Sequence, residues 1–291
     1  ENNRNTNGEA SLFNRRVDEN VCFTMPTITE DFVHCQIKSM PNGKATGMDG
    51  ISVRLLKAGA EAIVPTLTWI MNLSITTGIV PDDFKLARLT PIHKAGPHDE
   101  CNNYRPISIL SVVSKIIEKA VHDSFYKFLD NLKLIAKLQS GFRHLHSTST
   151  ALVQLYDELL TNMNNGKISG TILLDLRKAF DTVNHSRLLL KLQAYGINDT
   201  ALHWFESYLD GRKQQTCVKG CISDPNFVTI GIPQGSILGP LLFLIFINDL
   251  PDCVDATTHM YADDTSIVTS ENDVTRLCAK MNQNAKDEIG R

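Results

Sequence analysis

Tyr261-Ala262-Asp263-Asp264 sets two adjacent carboxylates behind a short apolar run, and Thr171-Ile172-Leu173-Leu174-Asp175 ends another apolar run on a third. One acid closing a β-branched strand is an ordinary cap. Two acids side by side on a second strand are harder to read as structure, because like charges packed together destabilise a fold unless a cation separates them. Solvated turn aspartates would explain either run alone. Together the three suit divalent metals, which take clustered oxygen ligands and share them with substrate phosphates. Asp175, Asp263 and Asp264 are therefore the candidate metal ligands and catalytic acids, and the chemistry they suit is phosphoryl transfer.

Working outward, apolar recurrence every three to four residues predicts helices near 52–60, 62–78, 111–130 and 148–163. Another helix is expected from Thr29, stopped by Pro41-Asn42-Gly43. A strand near 86–92 runs into a loop rich in turn formers, Ala95 to Asn103. Helices near 185–194 and 200–210, a hairpin near 213–231 and a helix from about 236 follow. The halves of a short hairpin, 257–261 and 265–269, meet at Asp263-Asp264, and a last helix starts near Asp273. Helices interleaved with antiparallel hairpins predict an α+β fold with the acids at the tips of neighbouring strands.

Composition bounds less. The chain has 291 residues, 42% of them hydrophobic, enough for a substantial core. A net charge of −3 does not advertise nucleic-acid binding, although residues 82–143 carry a mild excess of Lys and Arg. Seven cysteines at scattered spacing read as free thiols in a reducing compartment. Cys217 and Cys221 form one C-x₃-C pair with no second pair beside it, so two hairpin cysteines are expected rather than a zinc site. The most apolar run, Ile237 to Ile247, is too short to span a bilayer, and no membrane partner is expected. Gly43-Lys44-Ala45-Thr46-Gly47 lacks the spacing of a P-loop.

Between the acids stands Gly231-Ile232-Pro233-Gln234-Gly235-Ser236, a Gly/Pro turn that opens a helix. In this order the three runs resemble motifs A, B and C of reverse transcriptases. Leu173-Leu174-Asp175-Leu176-Arg177-Lys178-Ala179-Phe180-Asp181-Thr182-Val183, and Gly231 running on through Asn248-Asp249-Leu250-Pro251, resemble the non-LTR retrotransposon group (long interspersed elements, jockey-like) over about residues 28–291.

The resemblance implies a right-hand polymerase architecture. An N-terminal extension and fingers would occupy about 28–165, a palm with an antiparallel sheet backed by helices about 166–291, and residues 1–27 a polar linker or tail. The family's motif D and thumb would lie beyond Arg291 and an endonuclease before residue 28. The thumb is thus expected to be absent, and the chain to be a piece of a longer polyprotein with little processive synthesis alone. The implied activity is RNA-directed DNA polymerisation, adding dNTPs to a primer 3′-hydroxyl with two Mg²⁺ ions; Mn²⁺ suits the same ligands. The implied partners are an RNA template, a DNA primer, the RNA–DNA hybrid and dNTPs, in a cytoplasmic ribonucleoprotein and the nucleus.

Residue by residue, the resemblance makes Lys94 and Arg105 triphosphate contacts from a fingers hairpin. It makes Phe180 an aromatic gate against a ribose 2′-hydroxyl, and sets Gln234 and Gly235 against the incoming nucleotide. Gly47, Arg143, Ser236 and Tyr261 become template or primer contacts; Ser147 is expected to cap the helix that follows it. Two other functions stay open. A truncated, inactive relic would bind nucleic acid without catalysis. RNA-templated RNA synthesis is disfavoured by Phe180, where such polymerases tend to carry a hydrogen-bonding residue, and by Ala262 before the acids.

Overall fold

The computed structural model describes residues 16–176 and 178–289, with side chains to Lys286. Residues 1–15, most of the stretch expected as a tail, lie outside the described residues. In chain order the elements are α1 (Glu30–Ser39), α2 (Val53–Ala58), α3 (Ala60–Thr77), β1 (Leu86–His93), β2 (Tyr104–Ile109), α4 (Ser114–Asn131), α5 (Thr148–Asn164), β3 (Ile168–Leu174), α6 (His185–Ala194), α7 (Asp199–Leu209), β4 (Lys213–Val218), β5 (Cys221–Ile222), β6 (Asn226–Phe227), α8 (Gly239–Ile247), β7 (Thr257–Tyr261), β8 (Asp264–Glu271) and α9 (Val274–Ile289). This is the mixed α+β content the sequence predicts. Among the described residues no helix is long and apolar enough to cross a membrane.

The chain forms two compact units interleaved in sequence, one from Glu1–Leu132 with Phe180–Leu242 and the other from Lys133–Ala179 with Phe243–Arg291. The contacts thus divide the chain at three points, none of them at the fingers–palm boundary expected near residue 165.

The first unit pairs a helical core with a small sheet of order β2-β1-β4-β5, β6 lying on β4. Its helices start where the sequence supplies caps. The Thr29 hydroxyl accepts from the Phe32 amide at 3.2 Å, with Glu30 and Asp31 in the first turn favoured by the helix dipole. The Asn184 side chain accepts from the Arg187 amide at 3.0 Å. Phe23 packs on Phe125 and Phe128 at 5.1 and 5.5 Å between centroids, and Phe125 on Phe205 at 5.5 Å. Trp204, wholly buried, donates from Nε1 to Ser74 Oγ at 3.1 Å, so its one polar group is satisfied.

Phe23 also corrects the expected linker over 1–27. Within its described part the Arg16 amide donates to the Ala194 carbonyl at 2.8 Å and the Phe23 amide to the Gly196 carbonyl at 2.9 Å. A polar composition concealed one aromatic anchor, whose burial is worth roughly 1.5–3 kcal/mol, enough to hold a short segment down.

In the sheet, β1 pairs antiparallel with β2 and parallel with β4. Strand β2 is not predicted by alternation, because Pro106 interrupts a polar run. In the β4–β5 hairpin Cys217 stands opposite Ile222 and Cys221 opposite Val218. The two residues of a rung share a face and successive rungs alternate, so the two cysteines lie on opposite faces and share no metal.

The second unit is a three-stranded antiparallel sheet of order β3-β8-β7. On one face α5 meets the sheet through Glu158, whose Oε2 lies 2.5 Å from His259 Nε2. On the other, α9 packs so closely that a Cβ on Gly170 would lie 2.3 Å from Met281 Sδ, and Asn284 donates to Thr269 Oγ1 at 3.0 Å. Ser147 caps α5 as expected, in a reciprocal box with Thr150.

Candidate functional site

The β3–β8 ladder pairs Leu174 with Thr265. Carried one residue further, its register sets Asp175 opposite Asp264. The β7–β8 ladder closes on Tyr261 opposite Asp264, and Asp263 sits in the intervening turn. The antiparallel register thus gathers all three acids at one end of one sheet. Asp175 and Asp264 are exposed and Asp263 half-exposed. Among the described residues, none of the three carboxylates is spent on a hydrogen bond or ion pair. Nor do three His, Cys, Asp or Glu side chains close on a common point that could hold a metal, among the described residues. The donors fit a hard divalent cation in kind and in backbone placement, but their side chains do not converge on one.

In the first unit the residues after the Asp175 strand meet the Gly231–Ser236 turn. The Gly231 amide donates to the Val183 carbonyl and the Ile232 amide to the Phe180 carbonyl, both at 2.8 Å. Gln234 Nε2 donates to Asp181 Oδ1 at 2.9 Å, and the Ser108 amide donates to the Gln234 carbonyl at 2.8 Å. Two glycines make this approach possible. Gly231 has φ +88° and a Cβ there would lie 2.7 Å from the Asp181 carbonyl oxygen; Gly235 has φ +121° and would meet the Ser108 oxygen at 2.4 Å. A pocket of about 310 Å³ opens along this turn, lined among others by Asp181, Arg212, Lys213, Phe227 and Gln234.

Of the basic candidates, Arg105 pairs with Ile92 in the β1–β2 register, and Lys94 follows two residues after Ile92. Side chains alternate along a strand, so Lys94 and Arg105 share one exposed face of the hairpin. Phe180 is half-exposed, and so is Tyr261, at the last β7 rung. Three template or primer candidates are engaged elsewhere. Gly47 is buried, where a Cβ would lie 3.0 Å from the Ser111 backbone. Ser236 Oγ accepts from the Gly239 amide and donates to the Pro233 carbonyl, each at 2.9 Å, and so starts α8 three residues later than expected. Arg143 Nη1 donates to the Ala136 and Gln139 carbonyls at 3.2 and 3.1 Å.

Comparison with known families places this geometry. The reverse transcriptase (RNA-dependent DNA polymerase) family matches residues 92–290, more than half of the chain. The chain belongs to the reverse transcriptase family. It is 31% identical over 262 residues to the probable RNA-directed DNA polymerase from transposon BS of Drosophila melanogaster, which covers 85% of this chain and 28% of that protein. It is 31% identical over 260 residues to the RNA-directed DNA polymerase from mobile element jockey of the same fly, at 86% and 28% coverage. It is 27% identical to the Pol polyprotein of the type-1 retrotransposable element R2 of Popillia japonica, at 78% and 31%. The chain therefore spans less than a third of these relatives' length. The similarity lies in the non-LTR retrotransposon group that the motif text resembles.

Sequence reading passed over two residues of this reverse transcriptase chain. Asp181 lies inside the motif A text, but only the fold shows that it anchors Gln234. Glu118 had a visible signal: it is the acid in the apolar stripe Ile116-Ile117-Glu118-Lys119-Ala120-Val121. It is buried, and its Oε2 accepts from the Ile237 amide at 2.6 Å and the Leu238 amide at 3.4 Å, just behind the Gly231–Ser236 turn. Burial pushes its carboxyl above the usual carboxylate range, against the opposing pull of Arg212 and of those two amides. Burial likewise pushes the Tyr208 hydroxyl up. The Arg212 guanidinium stacks 4.9 Å over the Tyr208 ring and donates to the Tyr208 carbonyl at 3.0 Å.

Proposed function

We propose that this chain is the catalytic part of an RNA-directed DNA polymerase of a non-LTR retrotransposon, extending a primer 3′-hydroxyl with dNTPs on an RNA template. The observation that carries it is the register that sets Asp175 opposite Asp264 with Asp263 in the adjoining turn. Asp175, Asp263 and Asp264 would hold two Mg²⁺ ions, or Mn²⁺. Bound there, the metals would supply the Lewis acidity that activates the primer hydroxyl and neutralises the departing pyrophosphate.

The chain's own residues do the rest. Lys94 and Arg105, on one exposed face, offer a point charge and a planar fork to a triphosphate. Gln234, held by Asp181, presents its turn to the incoming nucleotide, and the Phe180 ring excludes a ribose 2′-hydroxyl by clash. The hybrid substrate is near A-form, so its recognition rests on phosphates and 2′-hydroxyls rather than base edges. In this reading the β3-β8-β7 sheet with α5 and α9 belongs to the palm, and the β1–β2 hairpin to the fingers. The antiparallel sheet backed by helices supports the first, and the exposed Lys94–Arg105 face the second.

Primer extension on an RNA template with Mg²⁺ and dNTPs tests this, the chain run beside its Asp263→Ala variant. DNA product that the variant fails to make supports the polymerase. A second reading is a relic that binds nucleic acid without catalysis. Binding of the hybrid with no extension by either protein favours it.

A further inference from the structure

Ala262 lies between Tyr261 and the acid pair with φ +59°, a left-handed conformation that strains any residue but glycine. Something must hold it there. Gln139, 1% exposed, spends its whole side chain on that residue and its neighbour. Its Oε1 accepts from the Ala262 amide at 3.1 Å and from the Gly141 amide at 2.8 Å, and its Nε2 donates to the Ala262 carbonyl at 3.3 Å. One amide side chain thus grips both backbone groups of the strained residue. The geometry demands closeness, since a Cβ on Gly141 would sit 2.1 Å from the Ala262 nitrogen.

The segment bearing Gln139 is itself fixed. The Ser140 amide donates to the Met260 carbonyl at 2.8 Å and the Met260 amide to the Leu138 carbonyl at 3.0 Å, a short parallel addition to β7. Asn248 brackets the approach, its Oδ1 accepting from the Ala136 amide and its Nδ2 donating to the Leu134 carbonyl, both at 2.7 Å. The Arg143 bonds to the Ala136 and Gln139 carbonyls close the far side.

We propose that Gln139 is a positioning residue that holds Ala262 in its left-handed turn and so aims Asp263 and Asp264. The role deepens the polymerase reading and rests on it for its catalytic consequence. It also reassigns Arg143, which secures this clamp from behind instead of reaching for a template phosphate. Losing the clamp frees two amides and lets the turn relax toward right-handed backbone, which redirects both carboxylates without altering either.

The test uses the 291-residue chain and its Gln139→Ala, Ala262→Gly and double variants. Amide exchange followed by NMR reads the clamp directly. Gln139→Ala speeds exchange at Ala262 and Gly141 by about tenfold or more, the worth of a lost hydrogen bond, while the Ser140 amide, bonded to Met260, stays protected. Unchanged exchange at Ala262 overturns the clamp, and equal loss at Ser140 reduces Gln139 to a packing residue and overturns it too. Single-nucleotide addition reads the consequence. Gln139→Ala lowers kcat by about tenfold or more with the dNTP KM held within about twofold, and adding Ala262→Gly, which adopts the left-handed turn without strain, recovers part of the rate. A rate lost without recovery, or one that never falls, overturns the positioning role. If the parent chain adds no nucleotide the polymerase reading fails, and the exchange result still decides the clamp.

Discussion

Gln234 Nε2 and Asp181 Oδ1 stand 2.9 Å apart, a charge-assisted bond joining the turn that follows β6 to the segment that follows β3. It holds in place the amide side chain of the Gly231–Ser236 turn. Asp181→Ala leaves Gln234 without its anchor, and a hydrogen bond to a charged group is worth about 1.5–3 kcal/mol. The dNTP KM in primer extension should rise by about tenfold or more, with Asp181→Asn intermediate. A KM that does not move would show the bond to be incidental.

Gly235 offers a stability test free of the chemistry. Alanine there must take φ +121° and drive its Cβ to 2.4 Å from the Ser108 carbonyl oxygen. The strain alone is on the order of 1–3 kcal/mol, and the clash adds to it. Thermal unfolding of Gly235→Ala should fall by several degrees, about 2–4 °C per kcal/mol at this size. Gly43→Ala, where an added Cβ meets nothing within 4 Å, is the matched control and should leave the midpoint unchanged.

Glu118 sets a pH dependence. Its folded-state pKa lies above the ordinary 4.5, so the folded chain holds this proton more tightly than the unfolded one. The stability this supplies is complete below pH 4.5 and is lost as pH rises through the folded pKa. Glu118→Gln carries no titrating group and still offers an oxygen to the Ile237 and Leu238 amides. The wild-type melting temperature, measured against that variant between about pH 4 and 8, should therefore decline as pH rises. A gap that instead grows in favour of the wild type would mean that Arg212 keeps the carboxylate ionised in the fold.

Phe180 gives a prediction about substrate choice. Its carbonyl is pinned by the Ile232 amide while its ring stays half-exposed, so its size can change with little effect on the backbone. Phe180→Val should lower discrimination against ribonucleotides by about tenfold or more, since exclusion by clash disappears with the ring. Paired rNTP and dNTP incorporation rates measure it, and an unchanged ratio removes Phe180 from the role.

Helices with a clear apolar stripe were legible in the sequence. The cores of α1, α3 and α4 fall where the sequence predicts, because burial of one face leaves a period that composition cannot hide; α5 also falls where recurrence predicts, although none of its residues is fully buried. The hairpin bearing Asp263 and Asp264 was legible for the same reason. Strand β2 was not, since Pro106 breaks the alternation, and neither was the anchoring of residues 16–27, which hangs on Phe23. At the site the three acids announced themselves by chemistry. Gln139 and Arg143 could not, because a polar side chain that turns inward to carbonyls and amides has the same letter as one facing water. Only the positive φ at Ala262 reveals what Gln139 is for.

Among the described residues strand β3 lies at one edge of its sheet, and the only strand it pairs with is β8. During synthesis on the ribosome β3 emerges well before that partner, with all of α6 through β7 still to come. Until then its backbone donors and acceptors are unanswered, and Leu173, 76% exposed even in the finished fold, adds an apolar side chain to the open edge. Long-range pairing of this kind is slow and prone to aggregation. The strand that leads into Asp175 is thus a hazard for the nascent chain, and expression yield should respond more to Leu173 than its exposed position would suggest.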